Sequence, residues 1–313
     1  MIEIFIEQAI YYADPHGTYR CQSRSPGFTE QADFDAIRLC SGVSGTGRVE
    51  TASDSVFAQP LNRDWVMVAQ VRGGPDAEAR SPGLHIRFLM VPRKAYRLWL
   101  GDPFVLADHF PPPWDARELP RLSYRPDLSF DRQVSAIDAV LKRPNADRIL
   151  AATQALVDGA RIALTWDGDT ADFMRSVWRL LPFSTRSELW PATLAPSNLL
   201  AFDFVAMREV DDETRKRYLM GDQVDLYPAG RYEENLRSAL ETEDRHHLIT
   251  LLQRRSRAQT LRLALFLVIL ATALAIGMRV FITSPATGQG RPERPNMPLP
   301  QRPPQIPTDY PTA

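Results

Sequence analysis

Apolar and polar residues alternate along IEIFIEQAIYYA (residues 2–13) and again along GTYRCQSRS (17–25), with DPHG between them. Period-two alternation is the mark of a half-buried strand, and the intervening turn signal predicts a hairpin with a slightly long loop. SPGF ends the second strand. TEQADFDAIRLCSG then reads as a helix: Thr29 can cap it, Glu30 and Asp33 suit its positive end, and Gly42 can close it. DWVMVAQVRGG and LHIRFLMVP read as strands, the latter continuously buried over Phe88–Val91, and HFPPPW at His109–Trp114 as a rigid loop. RSPG occurs at Arg24–Gly27 and Arg80–Gly83; both copies read as Pro-Gly turns in which Gly27 and Gly83 supply positive φ.

From about residue 126 the period becomes helical. Val134, Ile137 and Leu141 share one face, and Ile149/Leu156 and Leu150/Val157 repeat at seven. ARIALTWDGD is a strand entering a turn, Asp169 caps the helix that follows, and Phe173, Val177, Leu180 and Leu181 form its buried stripe up to Pro182. NLLAFDFVAM is a further strand. After YPAG a long helix begins near Arg231, with Leu236, Leu240, Leu248, Leu251 and Leu252 on its apolar side. The pattern predicts an α+β protein. It divides into a strand-rich domain (1–125), a small mixed α/β unit (126–229), an amphipathic helix (230–260), a transmembrane helix (261–283) and a Pro-rich disordered tail (284–313).

The span is LALFLVILATALAIGM, Leu263–Met278. With Leu261 and Val280–Ile282 it reaches 22 residues, about 33 Å of helix against a hydrocarbon core of about 30 Å. Arg262 and Arg279 stand near its ends, where long side chains can reach the headgroups. Five arginines between 245 and 262 face three between 279 and 294. That asymmetry predicts a single-pass protein of a bacterial inner membrane, with residues 1–260 cytoplasmic and the tail outside. The start, MIEIFIEQAIYYA, carries Glu3 and Glu7 and no basic segment, so no signal peptide is expected. The tail has nine prolines in 30 residues, Pro292, Pro295 and Pro298 among them. It suits an extended polyproline spacer.

Composition narrows the chemistry. The net charge of −1 argues against a nucleic-acid partner. Of the basic residues only Lys94, Lys142 and Lys216 are lysine, a bias that suits a GC-rich bacterial genome. Cys21 and Cys40 are too few for a disulfide scaffold and read as inert thiols. His16, His85, His109, His246 and His247 are scattered; Asp14 with His16 and Asp108 with His109 lack the spacing of a metal site. Asp167 and Asp169 read as a turn and a helix cap. Trp114 and Trp190, each beside proline, read as packing anchors. No nucleotide-binding or hydrolase motif is present, so no catalytic residue, cofactor or metal is assigned.

LLPFSTRSELWPATLAPSNLLAFDFVAM (Leu180–Met207), AIYYADPHGTYRCQSRSPGF, the Gly83/His85/Leu89 element and GDPFVLADHFPPPW together resemble bacterial GTPase-associated system proteins, over about 200 residues. The resemblance implies an adaptor acting beside a small GTPase in a defence or stress system, and it supplies no catalytic residues. This chain departs from the family by its membrane anchor. The expected function is a membrane-anchored non-enzymatic adaptor or scaffold, partnered by the bilayer and by other proteins. The alternatives are a tethered hydrolase using Cys21 or Cys40 with a histidine, and an envelope sensor reading through its tail.

Overall fold

The computed structural model describes residues 3–13, 18–44, 54–75, 82–98, 101–124, 130–254 and 257–283. They form a mixed α/β protein with ten strands in one sheet and twelve helices. The first half contains β1 (Ile4–Ala13), β2 (Tyr19–Arg24), α1 (Glu30–Ser44), β3 (Ser55–Pro60), β4 (Trp65–Pro75) and β5 (Pro82–Pro92). Then come α2 (Arg93–Leu98), α3 (Pro103–His109) and β6 (Leu122–Tyr124). The second half follows with α4 (Phe130–Leu141), α5 (Ala146–Val157), β7 (Ile162–Thr165), α6 (Thr170–Leu180), α7 (Phe183–Arg186), β8 (Pro191–Ala192) and β9 (Phe204–Met207). It ends with α8 (Asp212–Arg217), β10 (Leu219–Met220), α9 (Gly221–Val224), α10 (Arg231–Glu241), α11 (Arg245–Leu252) and α12 (Arg257–Thr283).

The strand order is β10-β7-β9-β8-β3-β4-β5-β1-β2, with β6 also beside β1. The boundary read near residue 125 therefore runs through one continuous sheet. Its first-half strands are antiparallel, and β10, β7, β9 and β8 are parallel. The seam is short. Phe57 of β3 pairs with Ala192 of β8, Thr193 N–H donates to Val56 O at 3.0 Å, and Val56 N–H donates to Thr193 Oγ1 at 2.9 Å. One compact unit covers Met1–Leu261.

Alternation along the strands divides the core. Met67 and Phe88 lie under α1 with Ala32, Ala36, Leu39 and Cys40. Val66, Val68 and Leu89 face the other way, onto Tyr96 of α2 and Leu106 of α3. Both faces are covered, which is why Phe88–Val91 is buried without interruption. In the second half, α5, α6, α10 and α11 bury their stripes on Ile162, Leu164, Phe204 and Ala206.

Several local readings are corrected. The α1 helix begins as read, with Thr29 Oγ1 accepting from Ala32 N–H at 3.2 Å, but it continues past Gly42 to Ser44. Gly42 serves close packing instead: a Cβ there would lie 2.6 Å from Leu200 Cδ2. Gly27 is not among the glycines with positive φ; a Cβ there would lie 2.3 Å from Glu7 Oε1. Gly83 is a strand residue, opposite Gly74. DPHG, with His16, lies outside the described residues, as do Arg80 and Ser81.

The single helix read over 230–260 is divided among α10, α11 and the start of α12, with the first break between α10 and α11. Glu243 takes φ 52° between them, and Asp244 accepts from His247 N–H at 2.9 Å to start the second. A straight helix would set Leu236 and Leu252 about 24 Å apart along its axis. The break lets both enter the same core.

The expected transmembrane segment, 261–283, falls in α12. Among the described residues no helix is long and apolar enough to cross a membrane. The unbroken run of described side chains there is 263–276, about 21 Å of helix. The Pro-rich tail, 284–313, lies outside the described residues.

Candidate functional site

The thiols are set against nucleophilic chemistry. Cys21 sits on β2, with Sγ 3.7 Å from Ser23 O. Partial burial of the sulfur and the nearby Asp33 carboxylate raise its pKa. Cys40 is fully buried in α1, and that burial pushes its pKa far up. Thiolate, not thiol, is the attacking species, so both shifts oppose the hydrolase reading. The Asp33 carboxylate is engaged by the buried Tyr11 hydroxyl.

The described histidines fall at three separate places, on β5, at the end of α3 and in α11. His85 on β5 meets Trp114 edge-on at 6.1 Å. His109, at the end of α3, lies between the rings of Phe110 at 4.7 Å and Tyr124 at 4.4 Å. His246 and His247 are exposed in the first turn of α11. Asp108 pairs with Arg175 at 2.6 Å rather than with a ligand beside His109. Asp14 and His16 lie outside the described residues. Among the described residues there is no group of three His, Cys, Asp or Glu side chains able to hold a metal ion.

Asp167 makes the turn read for it, but the cap read at Asp169 is not made by its side chain. Asp169 occupies the N-cap of α6 but makes no side-chain cap bond. Asp167 Oδ1 accepts the Thr170 hydroxyl at 2.5 Å and Asp169 N–H at 3.1 Å, which closes the turn before α6. These bonds hold its pKa below the usual carboxylate value.

The motifs that carried the family resemblance converge on buried structural contacts. GDPF meets LLPFSTR: Asp102 Oδ2 lies 3.8 Å from Arg186 Nη1, and the two side chains are 7% and 6% exposed. Gly101, at φ 65°, accepts Trp178 Nε1–H at 2.9 Å and the Tyr96 hydroxyl at 3.1 Å on its carbonyl. Arg186 also donates through Nε to Leu181 O and through Nη2 to Arg179 O. RSPGF meets β1 in the same manner. The buried Glu7 carboxylate accepts from Ser25 Oγ at 2.6 Å, from Gly27 N–H at 3.1 Å and from Arg121. Burial pushes the Glu7 pKa up, but Ser25, Arg121 and Gly27 together outweigh it and hold the group below its usual value.

Arg186 and a second buried guanidinium, Arg87, carry a signal in the sequence. Arg87 interrupts the apolar run of β5 and Arg186 follows the apolar end of α6; a charge inside a buried stretch announces a buried partner. Arg87 is 1% exposed and donates to Gln8 Oε1, Gln70 Oε1 and Phe110 O, all neutral acceptors. Burial lowers its pKa to about 10. The bonds from Arg87 and Gln70 to Phe110 O pin the loop after α3 onto the sheet. Trp114 and Trp190 are half-buried rather than enclosed. Trp190 stacks on Tyr96 at 6.3 Å with the Arg93 guanidinium over its ring. Compared with protein-family models, with curated proteins and with solved structures, the chain finds no match.

Proposed function

We propose that the chain is a membrane-anchored, non-enzymatic adaptor or scaffold. In this reading α12 holds it in a bacterial inner membrane as a single-pass anchor, residues 1–260 face the cytoplasm and the tail lies outside. The body gathers other proteins, a small GTPase among them. One observation carries the reading. Every other helix of eight or more residues buries part of its apolar face, whereas the described side chains of α12 from Leu263 to Ile276 are all exposed. Contiguous apolar surface on that scale calls for a cover. The one hydroxyl in the run is already satisfied, Thr272 Oγ1 donating to Val268 O at 2.8 Å, as suits hydrocarbon surroundings. The sequence carries the apolar run beyond the described side chains to Ile282, interrupted by Arg279, and so to the length a bilayer requires.

The GTPase partner is supported by the resemblance of Leu180–Met207 and of the N-terminal motifs. The non-enzymatic reading is supported by the raised thiols. An anchored adaptor works by raising the local concentration of what it binds. A reporter active only outside the cytoplasm, fused after Ala313 or before Met1, tests the arrangement. Activity from the C-terminal fusion alone, with the chain resisting carbonate extraction, is the expected result. Activity from the N-terminal fusion alone reverses the orientation, and release into the soluble fraction removes the anchor.

A further inference from the structure

The parallel strands β7 and β10 end at Thr165 and Met220, and a cleft of about 800 Å³ opens there. The chain leaves β7 for β8 and β9 on one side, and reaches β10 on the other side only after β9. A crevice at the carboxyl ends of parallel strands, where the connections part, is the usual ligand position in such sheets.

The charges around the cleft are unevenly spent. Arg143 is engaged by Asp172 and Ser176, Arg148 lies 3.4 Å from Asp225, and Asp167 is occupied by Thr170. Arg215, Asp169 and Asp222 are different: among the described residues none has an ion pair or a side-chain hydrogen bond, and all three are exposed to the cleft. Leu164, Phe173 and Met220 supply an apolar wall. Helices α5 and α6 also begin here without a side-chain bond from their N-cap residues, Asn145 and Asp169. One free guanidinium, two free carboxylates and an apolar wall suit a molecule with an oxyanion at one end and donors at the other.

We propose that this cleft binds a small phosphate ester whose far end carries hydroxyl or ammonium donors, with the phosphate at Arg215 and the donors at Asp169 and Asp222. A phosphate is favoured over a carboxylate because its oxygens can accept at once from Arg215 and from the N-terminal N–H groups that no side chain caps. The site stands independently of the membrane reading. The chemistry is shared by soluble sugar phosphates and by lipid headgroups.

The test is calorimetric titration of the full chain in detergent with ribose 5-phosphate, O-phosphoethanolamine and inorganic phosphate. Saturable binding of an ester, at least about tenfold tighter than inorganic phosphate, is expected. Arg215→Gln weakens it about tenfold or more, the weight of one charge-assisted hydrogen bond. Asp169→Asn with Asp222→Asn removes the preference for the ester. Ribose 5-phosphate binding more tightly identifies a soluble ligand, and phosphoethanolamine a headgroup. Hydrogen exchange on the unaltered chain should show the bound ester slowing residues 143–148 and 167–173. No saturation by either ester at about 10 mM, ester binding indifferent to Arg215→Gln, or protection confined elsewhere overturns the proposal.

Discussion

Replacing Asp102 by asparagine isolates the charge of the buried pair that ties α3 to α7. Asparagine retains an oxygen able to accept from Phe104 N–H and Val105 N–H, now at 3.0 and 3.1 Å, so the cap on α3 survives. What changes is Arg186, left cationic in a site where its side chain is 6% exposed. Breaking a buried pair from one side costs about 3–5 kcal/mol. The 3.8 Å separation and the carbonyl bonds that Arg186 keeps place this case at the low end, about 3 kcal/mol. For a folded unit of this size each kcal/mol moves the midpoint about 2–4 °C, so Tm falls by roughly 6–12 °C. Thermal unfolding of the full chain in detergent, followed by far-ultraviolet circular dichroism, measures it. Arg186→Met is the partner variant. The double variant should cost less than the sum of the singles by at least about 1 kcal/mol, since neither partner is then left alone. An Asp102→Asn loss below about 1 kcal/mol, or singles that add within about 0.5 kcal/mol, would refute the claim that this pair ties α3 to α7.

Two further expectations concern titration and reactivity. Glu7 has a folded pKa below its unfolded one. Its contribution is therefore fully present above the ordinary glutamate value of about 4.3 and is lost as pH falls through the lower folded value; Glu7→Gln should flatten the acid limb of a stability–pH profile, and an unchanged limb would count against the Ser25–Gly27–Arg121 cradle. Cys21 should alkylate more slowly than free cysteine at pH 7, and Cys40 only on unfolding, because both thiol pKa values are raised. Fast modification of either at neutral pH, read by mass spectrometry, would reopen the hydrolase reading.

Periodicity alone located β1, β4, β5, α5 and α6, because which face of a strand or helix is buried is written in residues two, three or four apart. The apolar character of α12 was equally plain, since it depends on composition within one stretch. The short strands β8 and β10 carry too few residues for any period, and β8 exists because Phe57 and Val56 offer it partners from the other half of the chain. That seam, and not any local pattern, makes one sheet of segments that read as two domains. The same holds for Gly27 and Gly42, whose missing side chains answer to Glu7 and Leu200 rather than to a turn. Arg87, Arg186 and Asp102 were visible as charges in apolar surroundings, but their acceptors lie on other elements. The cleft beyond β7 and β10 likewise gathers Arg215, Asp169 and Asp222 from separate connections. Local sequence sets which surfaces must be hidden; only the packed chain decides which polar groups meet once they are, because the cost of burying a charge is settled by partners distant in sequence.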